Sequence, residues 1–386
     1  MKTLQSRYSI TPDVSETGIQ NRRNSIPYSG YLFQENKFNS PEILNGNIEN
    51  YIGMSMIPTG IIGPVKVNGK SAKGEFIVPL ATSEGALVAS YNRGAKACFE
   101  AGGVTSICLE EGVQRCPVFK FENVNQLGVF LIWVLENEEK FKKITAQGSR
   151  FAQLKEMKSN IEGNHLTLVF DYTTGDASGQ NMVTFCTESI CQFIIGNCPV
   201  KPHSWFIEGN FSGDKKATSL SFSQTRGKKV TTEIILPKGV VEKILLTTPQ
   251  AMFNYWLSST MGVIQSGAIG AQGHYANGLA ALFIATGQDV ACVSESSVGI
   301  TRMEVLDNGS LYASVTMPNL IVGTVGGGTS LPTQKECLQI MDCYGEGNAK
   351  KLAEIIGAVL LAGELSIAAA LSAGHFASAH KKFGRK

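Results

Sequence analysis

Between residues 117 and 171 the apolar positions change period twice. PVFKFEN predicts a strand, NQLGVFLIWVLENEEKFKKITAQ a helix and HLTLVFDY a second strand. A glycine turn and another helical stretch, NMVTFCTESICQFII, complete a compact α+β unit of roughly a hundred residues. Upstream, ENYIGMSMIPTGIIGPVKVNG (49–69) alternates apolar residues with Gly and Pro and predicts loop and short strands. Residues 83–102 predict a helix stopped by Gly102-Gly103. Downstream, 218–240 predicts two strands joined by an Arg-Gly-Lys-Lys hairpin turn, followed by small-residue helices at 248–265, 276–286 and 348–373. The polar segment 1–45, with Arg22-Arg23, predicts an arm. These boundaries separate the arm (1–45), the stretch 46–116, the compact unit 117–218 and the stretch 219–386, and the length suits two domains or one large domain with an insertion.

Composition narrows the classes. A formal net charge of +2 over 386 residues argues against a nucleic-acid binder, which carries a strongly basic stripe. The opening MKTLQSRYSITPDVSETG is polar, so no secretory signal is expected. The 9 cysteines include no Cys-x-x-Cys pair, which suits a reduced, cytoplasmic protein with buried thiols. Cys191, Cys198 and His203 match no zinc-ligand spacing, so no metal is expected. The apolar run 355–374 is long enough to span a membrane. Glu364 in its middle predicts instead a helix buried among other helices, and no membrane partner.

Four isolated ionisable residues stand in charge-poor, Gly- and Ala-rich surroundings: Glu84, Lys215, Asp289 and His375. Glu84 in ATSEGALVAS either points to water or sits in a low-dielectric site that raises its proton affinity. Lys215, in Asp214-Lys215-Lys216, is a solvated loop charge or a cation held over a substrate carbonyl. Asp289, between apolar stretches, is expected to be buried and to need a partner. His375 follows a long helix whose C-terminus favours the imidazolium, fitting either a structural histidine or a general acid. Gly175-Asp176-Ala177-Ser178-Gly179 lies between a strand and a helix, as an ordinary turn or an anion-binding helix N-terminus; it is not G-x-G-x-x-G. GTVGGGT (323–329) is a tight turn or a place where ligand or another chain approaches the backbone.

Together ENYIGMSMIPTGIIGP, ATSEGALVASYNRG, GSRFA, GDASGQN, GDKK, GAQGHYANGLAALFIATGQD, TMPNLIVGTVGGGTSLPTQ and AGELSIAAALSAGH occur in the order found in hydroxymethylglutaryl-CoA reductases, and the chain resembles that family from about residue 46 to 380. The resemblance implies an α+β fold: a large, mainly helical substrate-binding domain (46–116 and 219–386) with an inserted small α+β (ferredoxin-like) nucleotide-binding domain (117–218). It implies reduction of 3-hydroxy-3-methylglutaryl-CoA to mevalonate and CoA with two NADPH, and self-association with active sites between subunits. Glu84, Lys215, Asp289 and His375 match the family's catalytic residues. Lys215 would stabilise the hemithioacetal oxygen, Asp289 would hold Lys215, His375 would protonate the CoA thiolate and Glu84 the aldehyde oxygen. Arg115, Asn210, Asp214 and Lys216 fall where the family grips the acid end of the substrate, with Asn277 in the catalytic neighbourhood. Ser90, Asn92 and Arg93 flank the CoA path. Ser149, Arg150, Phe151, Asp176, Gly179 and Asn181, with Gly326 and Gly327, fall where it holds the dinucleotide, and Ser149-Arg150 favours NADPH over NADH.

The chain departs from the family pattern at several positions. Ser178 and Gln180 replace methionines in the cofactor loop, and Lys96 replaces an arginine. Glu208 stands where a serine often meets the substrate carboxylate. Unpaired, it would oppose that carboxylate by about a kcal/mol at an effective dielectric constant of about 20. These departures leave reduction of a different acyl thioester as an alternative. A catalytically silent oligomeric homologue is the alternative from another class, and a cysteine-nucleophile acyltransferase would need a Cys–His pair that no motif supplies. The tail KKFGRK has no serine or threonine for a phosphorylation switch.

Overall fold

In the computed structural model the described residues are 16–25, 44, 46–50 and 54–374. His375 and most of the expected arm lie outside them. Within the arm, α1 (Glu16–Ser25) is helical. An antiparallel hairpin follows, β1 (Thr59–Asn68) and β2 (Lys73–Ala81), longer than the short strands expected there. α2 (Leu87–Glu100) packs on it and starts four residues later than the apolar pattern suggests, because residues 83–86 form a turn with Ala86 at φ +69°.

β3 (Thr105–Arg115) is the link between two hydrophobic cores. Its Thr105–Gly112 stretch pairs with β8 (Gly227–Leu236), whereas Val113–Arg115 pair with β6 (His165–Thr173). Around that second stretch fold β4 (Val118–Lys120), α3 (Val124–Glu136), α4 (Glu138–Gly148), β5 (Gln153–Glu162), α5 (Gln180–Asn197) and β7 (Ser204–Phe206). They enclose a small core containing the fully buried Phe119, Phe130, Phe141, Phe170 and Ile190. The single helix expected over 125–147 divides at Asn137, whose side chain donates to the Trp133 carbonyl at 2.7 Å. Glu138 and Glu139 then open α4, where acidic side chains complement the helix dipole. β5 escaped the apolar pattern because only Leu154 and Met157 of its ten residues are buried.

The larger core takes α6 (Pro249–Ser266), α7 (Tyr275–Thr286), β9 (Ile300–Val305), β10 (Leu311–Leu320), α8 (Pro332–Ile340) and α9 (Ala349–Ser372). Both cores share one antiparallel sheet ordered β7-β4-β6-β3-β8-β10-β9, with β5 beside β6. The fold is thus α+β, and the large unit has more strand than a mainly helical reading suggests. The expected hairpin over 218–240 is not formed. Residues 219–222 make a 3₁₀ turn, and Arg226 enters the core at the start of β8, only 1% exposed.

α9 is long and apolar enough to cross a membrane by length and composition, yet most of it is buried inside the protein. Its two buried carboxylates are satisfied by backbone donors, which explains their presence in an apolar helix. Glu354 accepts from the N–H groups of Ser71 (2.8 Å), Ala72 (2.7 Å) and Cys108 (3.1 Å). Glu364 accepts from those of Gly273 (2.7 Å) and His274 (2.8 Å), and from the Thr301 hydroxyl (2.7 Å).

Candidate active site

Because β3 passes from one core to the other, Arg115 at its end stands at their junction, facing the loop that follows β7. A charged network is built there. Lys215, in the left-handed backbone region at φ +58°, places its Nζ 2.9 Å from Asp289 Oδ2. Its backbone N–H donates to Glu295 at 3.1 Å. Glu295 is fully buried and takes Arg226 Nε at 2.7 Å. Arg226 also donates to Asp214 Oδ1 (2.8 Å) and the Gln114 carbonyl (2.9 Å). Asp214 bridges to Arg115 at 3.2 Å, and Arg115 reaches Glu208 at 3.3 Å and the Gln180 carbonyl at 3.0 Å. Glu208 is therefore paired, and it also accepts from the backbone N–H groups of Asn210 (2.7 Å) and Cys116 (3.3 Å). Lys216 turns back to the Asp214 carbonyl at 2.8 Å.

The hydrogen bond that Lys215 donates to Asp289 raises the Lys215 pKa above 10.5, against a smaller opposing effect of burial. Burial pushes the Glu295 carboxyl up, and Arg226 draws it back. Asp289, expected to be buried, has a side chain 44% exposed, as has Lys215. The pair is an accessible cation with a fixed partner, suited to an anionic oxygen. Since the protonated lysine is the useful form, Asp289→Asn moves the alkaline limb of the kcat/KM profile to lower pH. An unmoved limb would contradict control of Lys215 by Asp289.

The second group of expected residues lines a cavity of about 430 Å³ between α2, α7 and α9. Asn277 Nδ2 donates to Glu84 Oε1 at 3.3 Å. Glu84 is exposed in the turn before α2, so its apolar sequence neighbours do not enclose it within the single chain. Ser90 and Arg93 line the same cavity, whereas the Asn92 side chain is engaged through Oδ1, which accepts from the Gly63 N–H at 3.0 Å. Asn277 lies in the first turn of α7 and Asp289 just beyond its end. Glu84 and Lys215 therefore meet α7 at opposite ends, and its 12 residues span roughly 18 Å at 1.5 Å per residue. His375 lies outside the described residues.

The two glycine loops meet at the Lys215–Asp289 end. Gly179 (φ +80°) opens α5. Asp176 holds the Gly175–Gly179 loop by accepting from Gly347 N–H (2.7 Å) and Ala349 N–H (3.0 Å), so both carboxylate oxygens are occupied by backbone. Lys228 donates to the Gly175 carbonyl at 3.3 Å. Gly323 lies so close beneath that a Cβ there would stand 2.6 Å from the Ser178 nitrogen. The Gln288 side chain pairs with Gly323 in both directions, at 2.8 and 3.0 Å, which locks the GTVGGGT loop to the segment bearing Asp289. By contrast, no atom lies within 4 Å of a Cβ placed at Gly175, Gly326 or Gly327, so the backbone is open there. In GSRFA, Ser149 Oγ accepts from Phe151 N–H (3.2 Å) and Ala152 N–H (3.0 Å), while the Arg150 guanidinium lies 4.8 Å from the Phe151 ring centre. Asn181 is exposed in the first turn of α5.

Arg226 and Glu295 are the site residues that the sequence pattern misses. Arg226 was hidden in an apparent basic turn and Glu295 in a polar Ser-rich run, and no local signal marks either. All 9 cysteines are free, and burial raises every thiol, including Cys292 beside Gln180. Such thiols are poor nucleophiles. Among the described residues no cluster of three His, Cys, Asp or Glu side chains could hold a metal ion.

A lysine–aspartate pair next to an open glycine loop at a helix N-terminus is the equipment of an oxidoreductase acting on a carbonyl group. The chain belongs to the hydroxymethylglutaryl-coenzyme A reductase family, whose pattern it matches over residues 19–385. It is 46% identical over 352 residues to the 3-hydroxy-3-methylglutaryl-coenzyme A reductase of Pyrococcus abyssi, covering 89% of this chain and 86% of that protein. The Methanocaldococcus jannaschii enzyme of the same name is 44% identical over 346 residues, 88% and 85% of the two chains. In fold, the chain is similar to the class II 3-hydroxy-3-methylglutaryl-CoA reductase of Streptococcus pneumoniae solved with NADPH. The TM-score is 0.70 at 18% identity, over 86% of this chain and 89% of that one.

Proposed function

We propose that the protein reduces 3-hydroxy-3-methylglutaryl-CoA to mevalonate and free CoA, and the observation that carries this reading is the 2.9 Å Lys215–Asp289 pair locked to both glycine loops. NADPH supplies hydride for each of the two reductions. The small unit 117–218 is the cofactor unit, with Ser149, Arg150, Phe151, Asn181 and the Gly175–Gly179 loop holding the dinucleotide, beside Gly326 and Gly327. The open backbone at Gly175, Gly326 and Gly327 fits a ligand of that size. Arg150, a fixed cation, supports the 2′-phosphorylated form over NADH.

The chain's own groups then act in sequence. Lys215 holds negative charge on the thioester oxygen as the carbonyl becomes tetrahedral, and Asp289 keeps the ammonium charged and aimed. His375 gives a proton to the departing thiolate. Glu84, oriented by Asn277, gives a proton to the oxygen of the resulting aldehyde. Since Glu84 and Lys215 stand at opposite ends of α7, a second copy of the chain completes the site. The exposed Leu257, Met261 and Ile264 of α6 (46%, 47% and 63% exposed) are suited to cover one another in such an assembly.

Purified protein should oxidise two NADPH for each CoA released from the hydroxymethylglutaryl thioester. A folded oligomer that turns over neither NADPH nor NADH with this substrate would sink the proposal. Co-expressing Lys215→Ala with Glu84→Gln tests the shared site. Each variant alone is inactive, and random mixing restores about a quarter of wild-type activity, because half the dimers carry one intact site. No recovery from mixed dimers would place the whole site within one chain.

The Arg115–Glu208 ion pair favours a second reading, in which the substrate is a thioester without a terminal carboxylate. Arg115 NH1 is engaged by Glu208 and Asp214 and its NH2 donates to the Gln180 carbonyl, so most of the guanidinium's donors are already committed within the protein. A higher kcat/KM for an uncharged acyl-CoA than for the hydroxymethylglutaryl thioester would select it.

A further inference from the structure

Lys228 is a buried charge that no step of the proposed reaction uses. It lies on β8 opposite Glu111 of β3 and Leu320 of β10, and it is only 3% exposed. Among the described residues its ammonium makes one hydrogen bond, to the Gly175 carbonyl at 3.3 Å. Its ion pair with Glu111 is loose, at 3.8 Å, and Lys350 shares that carboxylate at 3.5 Å. Burial lowers the Lys228 pKa, and Glu111 draws it back. Three donors with one acceptor are a costly way to fill a core position that an apolar side chain of the same length could fill. What the ammonium does hold is the Gly175–Asp176 peptide. A trans peptide carries its C=O and N–H on opposite sides. Drawing the Gly175 carbonyl down to Lys228 therefore turns the Asp176 N–H outward, and that N–H makes no hydrogen bond among the described residues. Gly347 and Ala349 hold the Asp176 carboxylate away from it. The cavity beside Lys228 measures about 10 Å³, room for one water at most, so an anion above the loop meets the peptide and not the ammonium.

We infer that Lys228 is a positioning residue for the cofactor: from beneath the Gly175–Gly179 loop its ammonium fixes the Gly175–Asp176 peptide with the N–H directed at a phosphate of the dinucleotide. The inference rests on the NADPH reading proposed above. The ammonium acts in two ways. It holds the peptide in one orientation, and its charge, little screened in the interior, polarises the peptide so that the N–H is a stronger donor. Glu111 opposes both, because it draws the ammonium from the carbonyl and places a negative charge below the loop. The arrangement governs cofactor binding rather than hydride transfer.

NADPH affinity of the intact protein, measured by fluorescence titration, tests this separately from turnover. Lys228→Met is expected to weaken NADPH binding about tenfold, an effect equivalent to one charge-assisted hydrogen bond. In turnover, KM for NADPH rises, while kcat at saturation and KM for the thioester stay within about twofold. Lys228→Gln, which keeps a donor without the charge, gives a smaller loss in the same direction and serves where the Met variant does not fold. Glu111→Gln separates positioning from support. It leaves the ammonium free to hold the carbonyl, so NADPH affinity stays at or above that of wild type. A loop that needed only the Lys228–Glu111 pair for its shape would lose affinity in both variants. Unchanged NADPH affinity in the folded Lys228 variant would overturn the inference, as would a matching loss in Glu111→Gln or an equal loss for the thioester. Wild-type protein that binds no NADPH would instead overturn the cofactor reading itself.

Discussion

Lys215→Ala is expected to lower kcat with the hydroxymethylglutaryl thioester by at least 10²–10³-fold, as removal of one positioned oxyanion donor does in other enzymes, about 3–4 kcal/mol of transition-state stabilisation. The ammonium is held by Asp289 at its tip and by Glu295 at its backbone, so little reorganisation is needed when charge develops on the carbonyl oxygen. Since the interaction strengthens only as that charge forms, kcat and kcat/KM should fall together while NADPH affinity holds. Stopped-flow single turnovers with saturating thioester separate this from slow product release. A variant that retains near-wild-type single-turnover rate would remove Lys215 from the chemistry and leave it a loop residue.

Arg226→Met is expected to have the largest effect on stability, about 3–5 kcal/mol, because breaking a buried ion pair from one side leaves the other charge uncompensated. Arg226 is 1% exposed and holds Glu295 and Asp214, so its loss leaves a fully buried carboxylate without its cation. Arg226→Lys should recover only part of the loss. One ammonium cannot reproduce the separate Nε, NH1 and NH2 bonds to Glu295, Gln114 and Asp214. Equilibrium urea denaturation of the purified protein at fixed concentration gives the comparison. A loss under 1 kcal/mol would mean that the network is solvated in solution. Activity should also fall in the Lys variant, since Glu295 carries the Lys215 backbone.

Much of the fold was legible because its strongest elements are local. Three of the later helices, α6, α7 and α9, were placed within a residue or two, as each has enough apolar positions at helical spacing to declare itself, whereas the short α8 was not foreseen. Glu364 was recognised as a buried charge because one carboxylate in an apolar run has no other comfortable place. β5 and the split at Asn137 were not legible, since an edge strand carries little apolar signal and a side-chain cap interrupts a helix without altering its hydrophobic period. Arg226-Gly227-Lys228-Lys229 misled for a related reason. Its basic residues have the composition of a solvated turn, and only partners distant in sequence make Arg226 a core residue.

The sequence by itself determined the family, the order of its motifs and the candidates Glu84, Lys215 and Asp289, because these depend on residue type in local context. The tertiary structure decided how they are grouped. It joined Lys215 to Asp289, set Glu84 with Asn277 at the other end of α7, paired Glu208 with Arg115 and packed Gly323 beneath the Gly175–Gly179 loop. Charges separated by dozens of residues meet only when β3 carries the chain from one core to the next, and no local pattern encodes that meeting.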